Sequence, residues 1–174
     1  MVVCGTFTPD HVFPSTACML QSKLGLTNAG CVDLAAACSG FVFSLTVGHQ
    51  FIATGKAKTV LVLGADANSR LVDWEDRNTC VLFGDGAGAV VLQQRPMPED
   101  LGQRRGLLSS FMKSDGTGWK TLYQPAGGSL RPPTAETVTN RQHHIKMEGK
   151  EIFKFASRIM VEASRGAIEA AGLT

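Results

Sequence analysis

An α/β fold is predicted by three features of the 174-residue sequence. Short apolar runs alternate with segments of helical period, as strands and helices do when they pack in layers. The run Thr59-Val-Leu-Val-Leu-Gly is apolar without interruption, the pattern of a parallel strand covered on both faces. Nineteen glycines punctuate the chain, several at the ends of helical segments, where a left-handed residue stops a helix. Hydrophobic residues make up 44% and charged residues 18% of the chain. That is enough apolar material for a core without disulfides or metals. A net charge of +2 gives no reason to expect nucleic acid or an anionic membrane as partner. No apolar run reaches the roughly 18 residues of a membrane span, and the N-terminus lacks the basic start of a secretion signal.

The elements follow in order. Residues 2–7 read as an apolar strand. Pro14-Ser15 opens a helix over Thr16–Leu24, stopped by Gly25. Cys31–Ala35 is a second strand. Gly40–Thr54 is apolar on nearly every face and reads as a core helix, with Gly55 as its stop. With the strand from Thr59 these segments make a βαβ unit. Ala89–Leu92 and Gly106–Met112 read as further strands. Residues 113–142 are aperiodic and rich in Gly, Pro and Thr, a long loop. The chain becomes extended again around His144-Ile-Lys-Met. Residues 150–171 form an amphipathic helix with the stripe Ile152, Phe153, Ala156, Ile159, Met160, Ala163, Ala167 and Ile168, stopped by Gly172. The chain starts inside a strand and stops where an α/β pattern supplies the next one, so a segment of a longer domain is expected.

Five cysteines occur without a C-x-x-C pair, and no short-spaced Cys/His set suggests zinc. Four of them are expected to be small buried hydrophobes. Cys38 is different. It lies in Ala35-Ala-Ala-Cys-Ser-Gly, between a buried strand and a buried helix. Unpaired N–H groups and the positive end of the helix dipole favour a thiolate there, and the same N–H groups can stabilise an oxyanion on a thioester. A structural cysteine in a tight turn is the alternative, and the residues alone leave both open. Gly84-Asp-Gly-Ala-Gly-Ala fits a dinucleotide fingerprint only superficially, because a strand follows where a helix is needed. It reads as a tight turn with close backbone approach. His49 lies eleven residues beyond Cys38 in the same helix, too far for proton transfer within it. His143-His144 read as solvated, and Arg77 and Arg104-Arg105 as ordinary surface arginines.

Several segments occur together in one order: Phe13-Pro-Ser-Thr-Ala-Cys-Met-Leu-Gln, Asp33-Leu-Ala-Ala-Ala-Cys-Ser-Gly-Phe, Asp76-Arg, Leu82-Phe-Gly-Asp-Gly-Ala-Gly-Ala and Met147-Glu-Gly-Lys-Glu-Ile-Phe-Lys. With them the chain resembles the central segment of β-ketoacyl-acyl-carrier-protein synthase III, the initiating condensing enzyme of type II fatty-acid synthesis. Segment 113–142 is the exception, being longer than the family's usual loop. The resemblance implies a thiolase-like layered α/β fold. Residues 1–95 would be the latter part of its N-terminal half and residues 96–174 the start of its C-terminal half.

The resemblance also implies roles. Cys38 would accept an acyl group from acyl-CoA. Malonyl-acyl-carrier protein would then lose CO₂, and its carbanion would attack the thioester. Phe13 would reach across a homodimer interface into the partner's acyl pocket, and Phe83 would line the cavity near the nucleophile. Arg77 would lie at the adenine end of CoA, with Met147, Gly149 and Phe153 along the pantetheine tunnel. Trp74 is not at the position of the family's CoA-clamping tryptophan. No cofactor, metal, nucleic acid or membrane is implied, and the setting would be cytoplasmic, or plastid stroma in a photosynthetic eukaryote. The family's His and Asn lie in Pro-His-Gln-Ala-Asn-type and Gly-Asn-Thr-Ser-type motifs, absent from these residues. The chain alone is therefore expected to be a poor condensing catalyst. The alternatives are a related condensing enzyme for polyketide starter units, and a non-catalytic remnant acting as a dimerisation module.

Overall fold

The computed structural model describes residues 1–96 and 98–173. Two compact units emerge, and they are interleaved along the chain. The first contains Met1–Asp66 and Asp85–Ser110, the second Ala67–Gly84 and Phe111–Thr174, of which Thr174 lies outside the described residues.

In the first unit, β1 (Val2–Gly5), β2 (Cys31–Leu34), β3 (Thr59–Ala67) and β4 (Asp85–Gln93) form one sheet in the order β2-β1-β3-β4. β1 runs parallel to both β2 and β3, so Cys4 lies opposite Asp33 on one side and Leu63 on the other. Two helices connect these strands, α1 (Thr16–Lys23) and α2 (Gly40–Ala53). Alternation along β1 divides the core between them. Val2 and Cys4 pack with Ala17 of α1, Cys31, Leu61 and Leu63. Val3 packs with Ile52 of α2, Val60, Val62, Phe41 and Leu45. The sheet is thus covered by α1 on one face and by α2 on the other. The expected helix stops are present: Gly25, Gly55 and Gly172 all have positive φ.

α2 differs from the helix buried all round that its composition suggests. Its buried residues are Gly40, Ser44, Thr46, Gly48 and Ile52, whereas Val42 is half exposed. Residues 40, 44, 48 and 52 form one i+4 ridge, and three of the four are small. A methyl group on Gly48 would lie 2.8 Å from Val62 Cγ2. Small residues on that ridge let the helix approach the sheet closely, while its larger apolar side chains lie to the sides.

Three other expectations are corrected. Gly84–Gly88 is no tight turn: β4 begins at Asp85, and nothing lies within 4 Å of a methyl group placed on Gly84, Gly86 or Gly88. Gly106–Met112 belongs to no strand, since a strand needs a paired neighbour and the described sheets supply none. Segment 113–142 is not aperiodic. It contains a helical turn (Gly116–Thr121), β5 (Leu122–Tyr123) and α3 (Ala135–Thr139). The α3 cap is a reciprocal Thr134–Thr137 pair, a local polar signal that hydrophobic periodicity does not register.

In the second unit β5 pairs antiparallel with β6 (Lys146–Met147), and α4 (Gly149–Ala170) follows at once. α4 has the predicted amphipathic stripe, but none of its residues is buried. Its Gly166 lies against Phe111, whose ring would be 2.5 Å from an added methyl group. Among the described residues no helix is long and apolar enough to cross a membrane.

Candidate active site

Cys38 occupies a one-turn helical segment, Ala37–Ser39, that joins the C-terminal end of β2 to α2. Its thiol is free and exposed. Ala37, immediately before it, has φ 44, a left-handed conformation that costs a residue with a Cβ roughly 1–2 kcal/mol. Packing beneath the turn explains that strain. Gly40 opens α2 directly against Gly5 at the end of β1, and a methyl group on Gly5 would lie 2.3 Å from the Gly40 carbonyl carbon. Backbone lies on backbone there, so the chain must leave β2 and enter α2 within a few residues, and one left-handed residue makes the corner.

The N–H groups at this corner are divided between structure and availability. Ser39 N–H donates to Ala36 O at 3.0 Å, and Gly40 N–H donates to Ala37 O. The Cys38 N–H has no protein acceptor among the described residues. Of the N–H groups expected at this helix start, the structure leaves that of Cys38 itself open.

The other cysteines sort by burial. Burial pushes the Cys4 thiol up to about 11, with Asp33, Asp66 and Asp10 adding to the effect. Burial also raises Cys31, and Cys80 is half-buried. Cys18 departs from the expected buried set: it is exposed on α1, and its thiol lies beside that of Cys31 on β2, which adds to the rise at Cys31.

Phe13 belongs to the same unit as Cys38. It stands in the loop between β1 and α1, 83% exposed, beside Val12 at 97%. The Phe13–Pro14 peptide is cis. Both this loop and the Cys38 turn leave the C-terminal ends of parallel strands, the end of an open α/β sheet where ligands bind. Asp66, near the end of β3, ties down the start of the loop. It accepts from Phe7 N–H at 2.9 Å, Thr6 Oγ1 at 3.2 Å and Thr8 Oγ1 at 3.1 Å.

The remaining expected residues lie in the second unit. Arg77 is exposed and has no ion pair or hydrogen bond among the described residues. Its backbone is held by Asp76, whose carboxylate accepts from Asn78 N–H at 3.0 Å and Asn78 Nδ2 at 2.9 Å. Phe83 is half-buried. Met147, Gly149 and Phe153 gather at the start of α4. Met147 pairs with Leu122, its Cε would lie 3.5 Å from a methyl group on Gly149, and Phe153 stands one turn further along, 73% exposed. Trp74 is exposed.

The histidines are placed differently from expectation. His143 and His144 are half-buried rather than fully solvated. His143 Nε2 lies 2.9 Å from Thr137 Oγ1, and His144 Nδ1 is buried without a partner among the described residues. Nearby Asp73, itself buried, takes a two-point contact from Arg141: Nε donates to Oδ2 at 2.9 Å, and Nη2 to Oδ1. Arg141 also pairs with Glu75 at 2.9 Å. The Arg141 guanidinium, with the Glu75 N–H, holds the Asp73 carboxyl below the usual carboxylate range. His49 is half-buried on α2.

No sequence pattern assigns a role to Asp33, Asp66 or Gly5. Asp33 carries one signal, a carboxylate inside a short apolar strand, which must find donors when folded. Asp66 lies beyond the apolar run Thr59–Gly64, and β3 extends to include it.

Comparison with known proteins agrees with this architecture. The family profile "3-Oxoacyl-[acyl-carrier-protein (ACP)] synthase III" matches residues 32–116. The β-ketoacyl-[acyl-carrier-protein] synthase III of Natranaerobius thermophilus is 50% identical over 97% of this chain and 50% of its own length. The crystal structure of the Thermus thermophilus β-ketoacyl-[acyl-carrier-protein] synthase III superposes with a TM-score of 0.82 at 40% identity, covering 99% of this chain and 50% of that one. The priming β-ketosynthase of the R1128 polyketide biosynthetic pathway superposes with a TM-score of 0.80 at 31% identity, over 99% and 49%. The chain spans about half the length of the curated relatives it matches. The expected α/β, thiolase-like fold class is therefore shown. In sequence and in fold, over nearly its whole length, the chain is similar to half of a β-ketoacyl-[acyl-carrier-protein] synthase III.

Proposed function

We propose that this chain carries the acyl-accepting part of a condensing enzyme that starts fatty-acid synthesis. The observation that carries the reading is Cys38: an exposed, free thiol on a strained turn at the C-terminal end of a parallel strand, with its own N–H open. Cys38 Sγ, as thiolate, attacks the carbonyl of an acyl-CoA thioester. The oxyanion forms beside the Cys38 N–H. It collapses with loss of CoA thiolate, which takes up a proton, and acyl-Cys38 remains. In the complete enzyme malonyl-acyl-carrier protein then loses CO₂. Its carbanion attacks the acyl-Cys38 carbonyl, and Cys38 thiolate leaves.

The unpaired Arg77 is suited to phosphate groups at the adenine end of CoA. Met147, Gly149 and Phe153 offer an apolar, narrow edge for the pantetheine arm. Phe83 lines the acyl cavity, and Phe13 completes the pocket of a second copy in a homodimer. Residues 1–95 belong to the first half of the fold and residues 96–174 begin the second. No cofactor is needed beyond the acyl-CoA substrate. The named relative is bacterial, which supports a cytoplasmic setting over a plastid one.

Incubation with radiolabelled acetyl-CoA tests the reading. Label should be carried by Cys38 and lost in Cys38→Ser; unchanged labelling of that variant would refute the assignment. Robust CO₂ release from malonyl-acyl-carrier protein by these 174 residues alone would refute the expectation that condensation needs further residues. The likeness to a priming β-ketosynthase of a polyketide pathway supports a second reading, transfer of a polyketide starter unit. Preference for another acyl-CoA over acetyl-CoA would favour it.

A further inference from the structure

We infer that Asp33 is a positioning residue, whose carboxylate fixes the loop presenting Phe13 to the strand that leads to Cys38. The inference deepens the acyl-transfer reading and rests on it for the role of Phe13.

Asp33 lies on β2, five residues before Cys38. Its Oδ2 accepts from Thr16 N–H at 2.7 Å and its Oδ1 from Ala17 N–H at 2.9 Å. These are the first two N–H groups of α1, which have no partner within the helix. A carboxylate there is also favoured by the helix dipole. The local cap is a different residue: Ser15 Oγ accepts from Cys18 N–H at 3.2 Å. Asp33 therefore does what Ser15 cannot, joining the helix to another element. The chain segment just after Phe13-Pro14-Ser15 is pinned to β2 by two charge-assisted bonds, while Asp66 pins the segment that starts at Thr6. Asp10 adds a brace, accepting from Thr16 Oγ1 at 3.2 Å. The loop is tied at both ends, and its tip carries two exposed apolar side chains, Val12 and Phe13. Such a tip can enter an apolar pocket with little loss of loop entropy, the cost that preorganisation removes.

Asp33→Asn keeps the shape but turns an NH₂ group toward one of the two N–H donors. Amide hydrogen exchange in the full chain reads the consequence directly. In Asp33→Asn the amides of Thr16, Ala17 and residues 8–13 should exchange about 10-fold faster, the equivalent of one charge-assisted bond. Thr16→Pro removes the N–H that Asp33 accepts, at a helix position that suits proline, together with the Oγ1 brace to Asp10. Thr16→Val removes the brace alone, so Thr16→Pro should speed exchange over residues 8–13 more than Thr16→Val does. Ser15→Ala should loosen the Cys18 amide and leave residues 8–13 unchanged. In acylation of Cys38, the acetyl-CoA to butyryl-CoA rate ratio should shift about fivefold in Asp33→Asn and stay put in Ser15→Ala. Unaltered exchange over residues 8–13 in both Asp33→Asn and Thr16→Pro overturns the positioning role, and so does an equal effect of Ser15→Ala, or a Thr16→Val effect equal to that of Thr16→Pro. If the parent chain accepts no acyl group, the acyl-transfer reading fails, and exchange alone decides the role of Asp33.

Discussion

Replacing Gly5 by alanine is the sharpest test of how Cys38 is placed. The added methyl group would lie 2.3 Å from Gly40 C, 2.4 Å from Gly40 O and 2.8 Å from Ser44 Oγ, where ordinary contact begins at 3.4 Å. The first two are backbone atoms, so no rotamer change relieves the overlap. The end of β1 and the start of α2 must separate by about 1 Å, and overpacking of this kind costs typically 1–3 kcal/mol. Because Cys38 stands two residues before Gly40, the same displacement moves its thiol. A misplacement of about 1 Å can cost on the order of 100-fold in rate. Gly48→Ala is the matched control. Its nearest neighbours are side-chain methyls, Val62 Cγ2 at 2.8 Å and Val60 Cγ1 at 3.2 Å, which can yield. Urea denaturation of both variants, with acyl transfer from acetyl-CoA to Cys38, makes the comparison. Gly5→Ala should lose more stability than Gly48→Ala and nearly all of its transfer rate. A Gly5→Ala protein as stable and as fast as the parent would show that backbone contact at Gly40 does not place Cys38.

Three further outcomes are expected. Ala37→Gly removes the penalty of φ 44, partly offset by the greater freedom of unfolded glycine, so the urea midpoint should rise by the equivalent of about 0.5–1 kcal/mol; a fall would show that the turn is not strained. Thiol labelling in the native state should proceed at Cys38 and Cys18 first and reach Cys4 last, as mass spectrometry of the labelled peptides would show. Because burial holds the Cys4 pKa at about 11 in the folded state, above the unfolded value of 9.0, its neutral-thiol contribution is complete below pH 9 and fades as pH rises through about 11. Asp73 behaves in the opposite sense. Arg141 lowers its folded pKa, so its contribution is complete above the ordinary carboxylate value and is lost as pH falls through the lowered one. Urea midpoints measured down through pH 4 should therefore fall more steeply in the parent than in Arg141→Met, and parallel slopes would refute the pairing.

What the sequence determined by itself was everything carried by local pattern. β1, β3, α1, α2 and α4 announce themselves through periodicity and glycine stops, and Cys38 through its place between a strand and a helix. Tertiary structure decided what depends on partners distant in sequence. Gly106–Met112 has the composition of a strand, yet pairing rather than composition makes a strand, and the segment joins neither of the described sheets. His143 looked solvated because its Thr137 partner arrives through a turn of α3 that periodicity does not register. Asp33 was visible only as an acid in an apolar strand, and Asp66 only as an acid beyond the apolar run Thr59–Gly64. Their donors, Thr16, Ala17, Phe7, Thr6 and Thr8, became evident once the strands were laid side by side. The left-handed turn at Ala37 likewise follows from the Gly5–Gly40 contact, a meeting of two backbones 35 residues apart that no local pattern encodes. Hydrophobic periodicity reports which face of an element is buried. Hydrogen-bond partners and backbone approach are properties of the assembled fold, and the site depends on them.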